Sequence, residues 1–384
     1  MVVSSSPALP VGPSADRPVL RVRSLPDLLA LVPVVLGFEP HESLVLVAVA
    51  GPRTGFHVRV DLPLRRNDEG NDEEVAALVD QVTAAALTQE CARVAVVGFS
   101  TAKTAQERRH VDDLLEAVAK RLDDHGVDVL DVLRTDGGRY WSLRCTDARC
   151  CLPGGTPYDP AASELRAEAT LAGIVVAPDR DAVAARLAAV SGEAAVGMRA
   201  ATRAAEQEVV AALGLRGRRA LARPPARALR AGAQAGATRV DRLLDRLLDQ
   251  LRAQVEAGGG AAVDDGLSDA DAAALSVWCS MTCFRDLAWC RMTCDEARQQ
   301  LALWSAVARR VVPPYEPAVL SLAGFAAWLS GDGASAWCAV ERAERADPAY
   351  SMAALLRETL TRCLPPDVWR PPPREVVLPP PANE

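Results

Sequence analysis

A nearly continuous apolar run, Ala92–Phe99, is followed by an amphipathic helix and then a second β-rich run, and this order constrains the chain more than any other feature. A strand with no polar alternation is expected to be buried on both faces, so it predicts the centre of a sheet. The helix spans Ala105–His125. Its apolar residues Val111, Leu114, Leu115, Val118 and Leu122 recur at helical spacing and give it one face to lay on that sheet. Val127–Arg134 and Arg139–Arg144 read as further strands around the turn Thr135–Gly138. Upstream, Ser43–Ala50 and Phe56–Leu62 read as a hairpin joined through Gly51–Gly55. Val19–Arg23 reads as a short strand. Ser24 reads as a cap with Pro26 in the first turn of a helix that ends near Gly37. A further amphipathic helix is predicted over Glu73–Gln89. The alternation predicts an α/β domain, a mixed sheet with packed helices.

Beyond Pro153 the strand signals stop. Helices are predicted at Ser163–Ala172, Asp181–Val190 and from Ala194 onward, then at Asp269–Cys294, Glu296–Val312, Ala318–Leu329, Ala334–Ala346 and Met352–Cys363. Gly324, Ala336, Ala343 and Pro348 follow the small-residue and proline spacing of a tetratricopeptide repeat, in which small residues let two antiparallel helices approach. One unit cannot build a solenoid, so the C-terminal half is read as an all-α domain containing one tetratricopeptide-like helical hairpin. The expected organisation is a disordered tail at 1–18, an α/β domain at 19–177, an Ala/Arg-rich helical connector at 178–260, a helical domain at 261–365 and a Pro-rich tail at 366–384. At 384 residues more than one domain is the default.

Net charge is −7, which weighs against a nucleic-acid partner. Seven arginines with no acid between Glu208 and Asp241 resemble a basic arm, yet no aromatics are interleaved to stack bases. They are read as a solvated helix, linker and helix. No segment reaches the roughly 20 apolar residues a spanning helix needs, so a cytoplasmic protein with no membrane partner is expected. Its ten cysteines are then expected to be reduced.

Cys145, Cys150 and Cys151 lie within seven residues, at a strand exit into a Pro/Gly turn. Such a cluster can bind metal or react. Zinc is the cofactor it would take, although zinc wants four ligands and three thiols are local. Arg144 and Arg149 would lower the pKa of nearby thiols. Cys279, Cys283, Cys290 and Cys294 are predicted to form a thiol stripe on one buried helix and are read as packing. Asp286, on the same face and next to Arg285, must find a partner if buried; it is read as an ion pair between helices and kept as a candidate functional residue. Asp61, at a strand end with His57 on the same side of its strand, is read as a turn former and kept as a second acidic candidate.

Three stretches together resemble a known family. They are Ser24-Leu-Pro-Asp with Gly37-Phe38-x-Pro40-x-x-Ser43 and Val60-Asp61-Leu; Cys145 with Cys150-Cys151-x-Pro153-x-Gly155; and Arg285-Asp286 with Leu303-Trp304, Ala326–Ala336, Asp347–Ser351 and Pro365-Pro366-x-x-Trp369. The combination is similar to the actinobacterial family called domain of unknown function 4192. The resemblance implies an intracellular protein in one piece and no activity. The Cys150-Cys151 pair belongs to that pattern and the four-thiol stripe does not. The expected function is therefore a non-catalytic protein-interaction or regulatory role, with a protein partner bound through the helical domain. The alternative is a thiol- or metal-dependent activity at Cys145, Cys150 and Cys151.

Overall fold

The central apolar run forms strand β4 (Arg93–Phe99), buried from Val94 onward. The computed structural model describes residues 4–6, 22–50, 56–63, 71–147, 149, 151–256 and 266–378. The chain divides into two compact units. One comprises Met1–Val183, Gly331–Ala334 and Thr359–Pro365; the other comprises Ala184–Ser330, Ser335–Glu358 and Pro366–Glu384. Of the stretch read as a connector, residues 184–260 fall in the second unit and residues 178–183 in the first.

In the first unit β1 (Ser4–Ser6), β2 (Ser43–Ala50), β3 (His57–Asp61), β4, β5 (Asp128–Thr135), β6 (Arg139–Ser142) and β7 (Thr156–Pro157) form a mixed sheet in the order β1-β3-β2-β4-β5-β6-β7. β4 and β5 are parallel, and every other pair is antiparallel. Helix α1 (Leu25–Leu36) begins where expected, with the Ser24 hydroxyl accepting from the Asp27 amide at 3.2 Å. Helix α2 (Asn71–Thr88) precedes β4. Helix α3 (Ala105–Asp124) makes the β4–β5 crossover. It opens on a reciprocal capping box, Thr104 with Glu107, which satisfies orphan amides at both positions. Its apolar face, Val111 to Leu122, is buried as the spacing requires. Helices α4 (Glu164–Leu171) and α5 (Arg180–Ala185) complete the unit. Val22 and Arg23 lie in no strand, whereas Ser4–Ser6, inside the expected tail, pairs with β3. Residues 19–21, the 51–55 turn and the Gly258–Gly260 boundary lie outside the described residues.

The second unit is helical: α6 (Gly192–Ala212), α7 (Ala226–Glu256), α8 (Asp269–Cys279), α9 (Thr282–Cys290), α10 (Ala297–Arg310), α11 (Glu316–Ser330), α12 (Gly333–Ala346) from Ser335 onward, α13 (Ser351–Thr361) up to Glu358, and α14 (Arg374–Val377). The α11–α12 hairpin packs as its small residues predict. A Cβ on Gly324 would stand 3.2 Å from Ala339 Cβ and 2.9 Å from Leu356 Cδ2, so any side chain there would force both neighbours to give way. Helix α11 is buried from Pro317 to Leu329.

The helix expected over Asp269–Cys294 is two helices. It breaks at Ser280-Met281, where Met281 is extended (φ −91°, ψ 128°). No proline or glycine marks the break. Its physical reason is tertiary: the turn brings Phe284 edge-on to Trp278, centroids 4.9 Å apart, against the bare backbone of Gly236 on α7. The four thiols therefore do not share one helix face. Cys279 is buried, and Cys283, Cys290 and Cys294 are half-buried. Among the described residues no helix is long and apolar enough to cross a membrane.

Candidate functional site

The antiparallel β2–β4 and parallel β4–β5 pairings bring the start of β2 and the ends of β4 and β5 to one edge of the sheet. Ser43 stands opposite Phe99, and Phe99 opposite Thr135. The carboxyl ends of parallel strands are where open α/β sheets place their crevices. Here they open into a cleft of about 380 Å³, lined by Glu39–Glu42, Phe99–Thr101, Thr135–Gly137, Tyr158–Ala161 and Arg166, with Leu29 and Pro33 of α1 as an apolar wall.

Glu42 is the centre of this cleft. Its backbone sits in the left-handed region (φ 40°), which is uncommon for a residue with a side chain. Such a conformation persists only where its surroundings impose it. Both carboxylate oxygens are held: Oε2 accepts from Ser100 Oγ at 3.0 Å, and Oε1 accepts from the Thr101 amide at 2.8 Å and its hydroxyl at 2.5 Å. A recess of about 240 Å³ on the other side of Glu42 is lined by Lys103, Glu107 and His110.

The hydroxyl protons of the cleft are already spent. Thr135 donates to the Arg139 carbonyl at 2.9 Å and accepts from the Gly137 amide at 3.0 Å. A hydroxyl has one proton, so the 2.9 Å contact between Thr135 Oγ1 and the Tyr158 hydroxyl uses the tyrosine's proton. Burial pushes the Tyr158 phenol up, which keeps that proton in place at neutral pH. Arg166 donates to Glu39 at 2.5 Å. His41 Nδ1 faces the Glu39 carbonyl at 3.1 Å, so in the neutral ring Nε2 is left as an acceptor. What remains toward the cleft is a set of acceptors together with the remaining N–H groups of Arg166. Four carboxylates, Glu39, Glu42, Asp136 and Asp159, stand against one guanidinium, Arg166.

Asp61 lies at the same sheet edge, paired in register with Ser43. It does not line the cleft. Its carboxylate holds buried Arg59 at 2.6 Å, and Arg59 in turn donates to Ser43 Oγ at 2.8 Å. The structure therefore gives Asp61 a partner that props the cleft rim. His57 sits four residues away on β3, about 13 Å at strand rise, so the two are no acid/base pair.

Cys145 and Cys151 flank the connection from β6 to β7; Cys150 lies outside the described residues. The connection leaves the sheet at the edge remote from the cleft, since Ser142 pairs with Leu133 and Tyr140 with Thr135. Asp61 is separated from it by β2, β4 and β5, four strand spacings or about 19 Å. The structure does not bring Asp61 and the thiols together. Arg144 and Arg149, expected beside the thiols, are engaged by Asp123 at 2.5 Å and Asp147 at 3.3 Å. Among the described residues no group of three His, Cys, Asp or Glu side chains could hold a metal ion. The connection has a clear structural task. Gly155 (φ 82°) passes under the Trp141 ring, whose Nε1 donates to the Pro153 carbonyl at 3.3 Å, and β7 then carries Tyr158 back to Thr135.

Asp286 is committed to packing. Its Oδ1 accepts from Arg285 Nε and Nη2 at 2.8 and 2.6 Å, and Arg285 Nη1 donates to the Tyr350 hydroxyl at 2.9 Å. The pair expected between helices is a pair of sequence neighbours on α9, with Tyr350 as its link to the α12–α13 connection.

Burial pushes the Cys279 thiol up to about 12 from an ordinary value near 9. A thiol raised in the native state keeps its proton after the unfolded chain has lost it. Its contribution is complete below pH 9 and declines as pH rises from about 9 toward 12, by about 1.4 kcal/mol per pH unit. Between pH 8 and 10.5 the wild type is expected to lose about 2 kcal/mol more stability than Cys279→Ala, read from urea midpoints at the two pH values. Equal losses would place the thiol in water.

The cleft residues escaped the sequence reading because they come from five separate segments with no motif spacing. One signal was present: Glu39, His41 and Glu42 occupy the unassigned positions of Gly37-Phe38-x-Pro40-x-x-Ser43. A family model described as a domain of unknown function (DUF4192) matches residues 26–367. No curated protein and no solved structure matches the chain.

Proposed function

The chain belongs to the DUF4192 family, and we propose that it is a non-catalytic regulatory protein whose α/β unit binds a small, donor-rich molecule, an amine or guanidine, in the cleft around Glu42. The observation that carries this reading is the spent protons. Ser100, Thr101, Thr135 and Tyr158 all point their hydroxyl protons at protein acceptors, so the cleft offers lone pairs and negative charge. A ligand must bring the donors. A phosphate or carboxylate ligand would instead meet four carboxylates. The volume, about 380 Å³, lies within the range of small-molecule sites. Binding rather than proton transfer is favoured because three donors fix both Glu42 oxygens. A protein partner reading the ligand state through the helical unit completes the proposal.

The test is a thermal-shift screen of amines, guanidines, amino sugars and polyols, with sugar phosphates and dicarboxylates as the opposing class. Cationic hits are expected to stabilise the wild type and to bind Glu42→Gln at least about tenfold more weakly, since a hydrogen bond to a charged group contributes about 1.5–3 kcal/mol. Hits drawn only from the anionic class, or cationic hits indifferent to Glu42→Gln, would sink the reading.

A further inference from the structure

The arginines between Glu208 and Asp241 are only partly used in the fold. Arg218 meets Glu206 and Arg239 meets Glu208, each at 3.1 Å. The side chains of Arg219, Arg223 and Arg230 make no hydrogen bond or ion pair among the described residues. Nor do they belong to a simple solvated linker. Arg218–Leu221 forms a 3-10 turn, and Pro224-Pro225 leads into α7. Between that turn, the start of α7 and the α8–α9 break lies a cleft of about 710 Å³, in the second unit alone.

Arg223 and Arg230 line this cleft, and among the described residues no acidic side chain does. Its floor is apolar: Leu221 and Met281 are each 4% exposed, with Leu229 beside them. Val376–Leu378 form one wall. An adjoining cleft of about 450 Å³ shares Leu221, Ala222 and Ser280, and adds Arg218 and Arg219. Of its two acids, Glu206 is engaged by the Tyr315 hydroxyl at 2.7 Å and by Arg218, and Asp347 by the Ala349 amide at 3.0 Å. The local excess of positive charge stands out in a chain of net charge −7, and low-dielectric walls focus such a field on the cleft.

We propose that the larger cleft binds an anionic amphiphile, a free small molecule with a phosphate or carboxylate head and an aliphatic body. Guanidinium forks match the planar or tetrahedral oxygens of such a head. Leu221, Leu229 and Met281 take the body out of water. Among the described residues no aromatic side chain lines this cleft, so it lacks the stacking platform that a single-stranded nucleic acid uses. The site is opposite in sign to the cleft around Glu42 and stands independently of it.

Isothermal titration with monomeric octyl phosphate tests this on the full chain, with octyl glucoside as the uncharged counterpart and phosphatidylglycerol vesicles as a membrane source of the same headgroup chemistry. The variants are Arg223→Glu/Arg230→Glu and the charge-preserving Arg223→Lys/Arg230→Lys, each with its thermal melt recorded to verify folding. Octyl phosphate is expected to bind at one site and octyl glucoside more weakly. The Glu pair should weaken octyl phosphate by at least about tenfold, the outcome of losing two ion pairs and adding repulsion, while the Lys pair keeps most of the affinity. Equal affinity for octyl glucoside, no effect of the Glu pair, no binding of octyl phosphate, or binding to vesicles alone would each overturn the proposal.

Discussion

Trp278→Ala is expected to lower the stability of the helical unit by about 3–5 kcal/mol, the range for deleting a large buried aromatic side chain. The indole is 2% exposed and meets Phe284 edge to face. Its loss also removes the contact that turns the chain at Ser280-Met281, so the cavity cannot close without shifting α9. A urea denaturation series followed by far-ultraviolet circular dichroism measures this. A loss below about 1 kcal/mol would mean that the α8–α9 break is set locally and that the aromatic pair only decorates it.

Gly155→Ala is expected to cost about 2–5 kcal/mol in the α/β unit. Two effects combine. The backbone at φ 82° disfavours any side chain, by about 1–2 kcal/mol. A new Cβ would stand 2.6 Å from Trp141 Cε2, and overpacking of this kind costs about 1–3 kcal/mol. Relieving the clash with Trp141→Leu should recover part of the loss but not the backbone share, so the double mutant should be non-additive. The same substitution should weaken cationic ligands of the Glu42 cleft, because β7 begins at Thr156 and delivers Tyr158. Unchanged stability and unchanged binding together would show that the connection does not hold the cleft in shape.

These two glycine and tryptophan sites mark the limit of what is readable in the chain. The capping of α1 by Ser24, the apolar face of α3 and the central position of β4 all follow from neighbours a few residues apart. So does the α11–α12 hairpin, because Gly324 and Ala336 are small wherever they are placed. Asp61 and Asp286 were recognisable as acids needing partners. Which partner each found, Arg59 and Arg285, depended on side-chain reach rather than on spacing. The thiol stripe failed because helical projection assumes an unbroken helix, and nothing between Asp269 and Cys294 announces a break.

By itself the sequence determined the local periodicities and hence the architecture: a mixed α/β sheet followed by helices. Periodicity within one segment is enough to decide which face is apolar. Tertiary structure alone decided where the clefts lie and what charge each presents. Glu42, Thr101, Thr135 and Tyr158 meet only because β2 begins, and β4, β5 and β7 end, at one edge of the sheet. Whether each hydroxyl there gives or receives a proton depends on partners up to 59 residues away, as for the Thr101 hydroxyl and Glu42. Hydrogen-bond direction is a property of the assembled site, and no residue carries it alone.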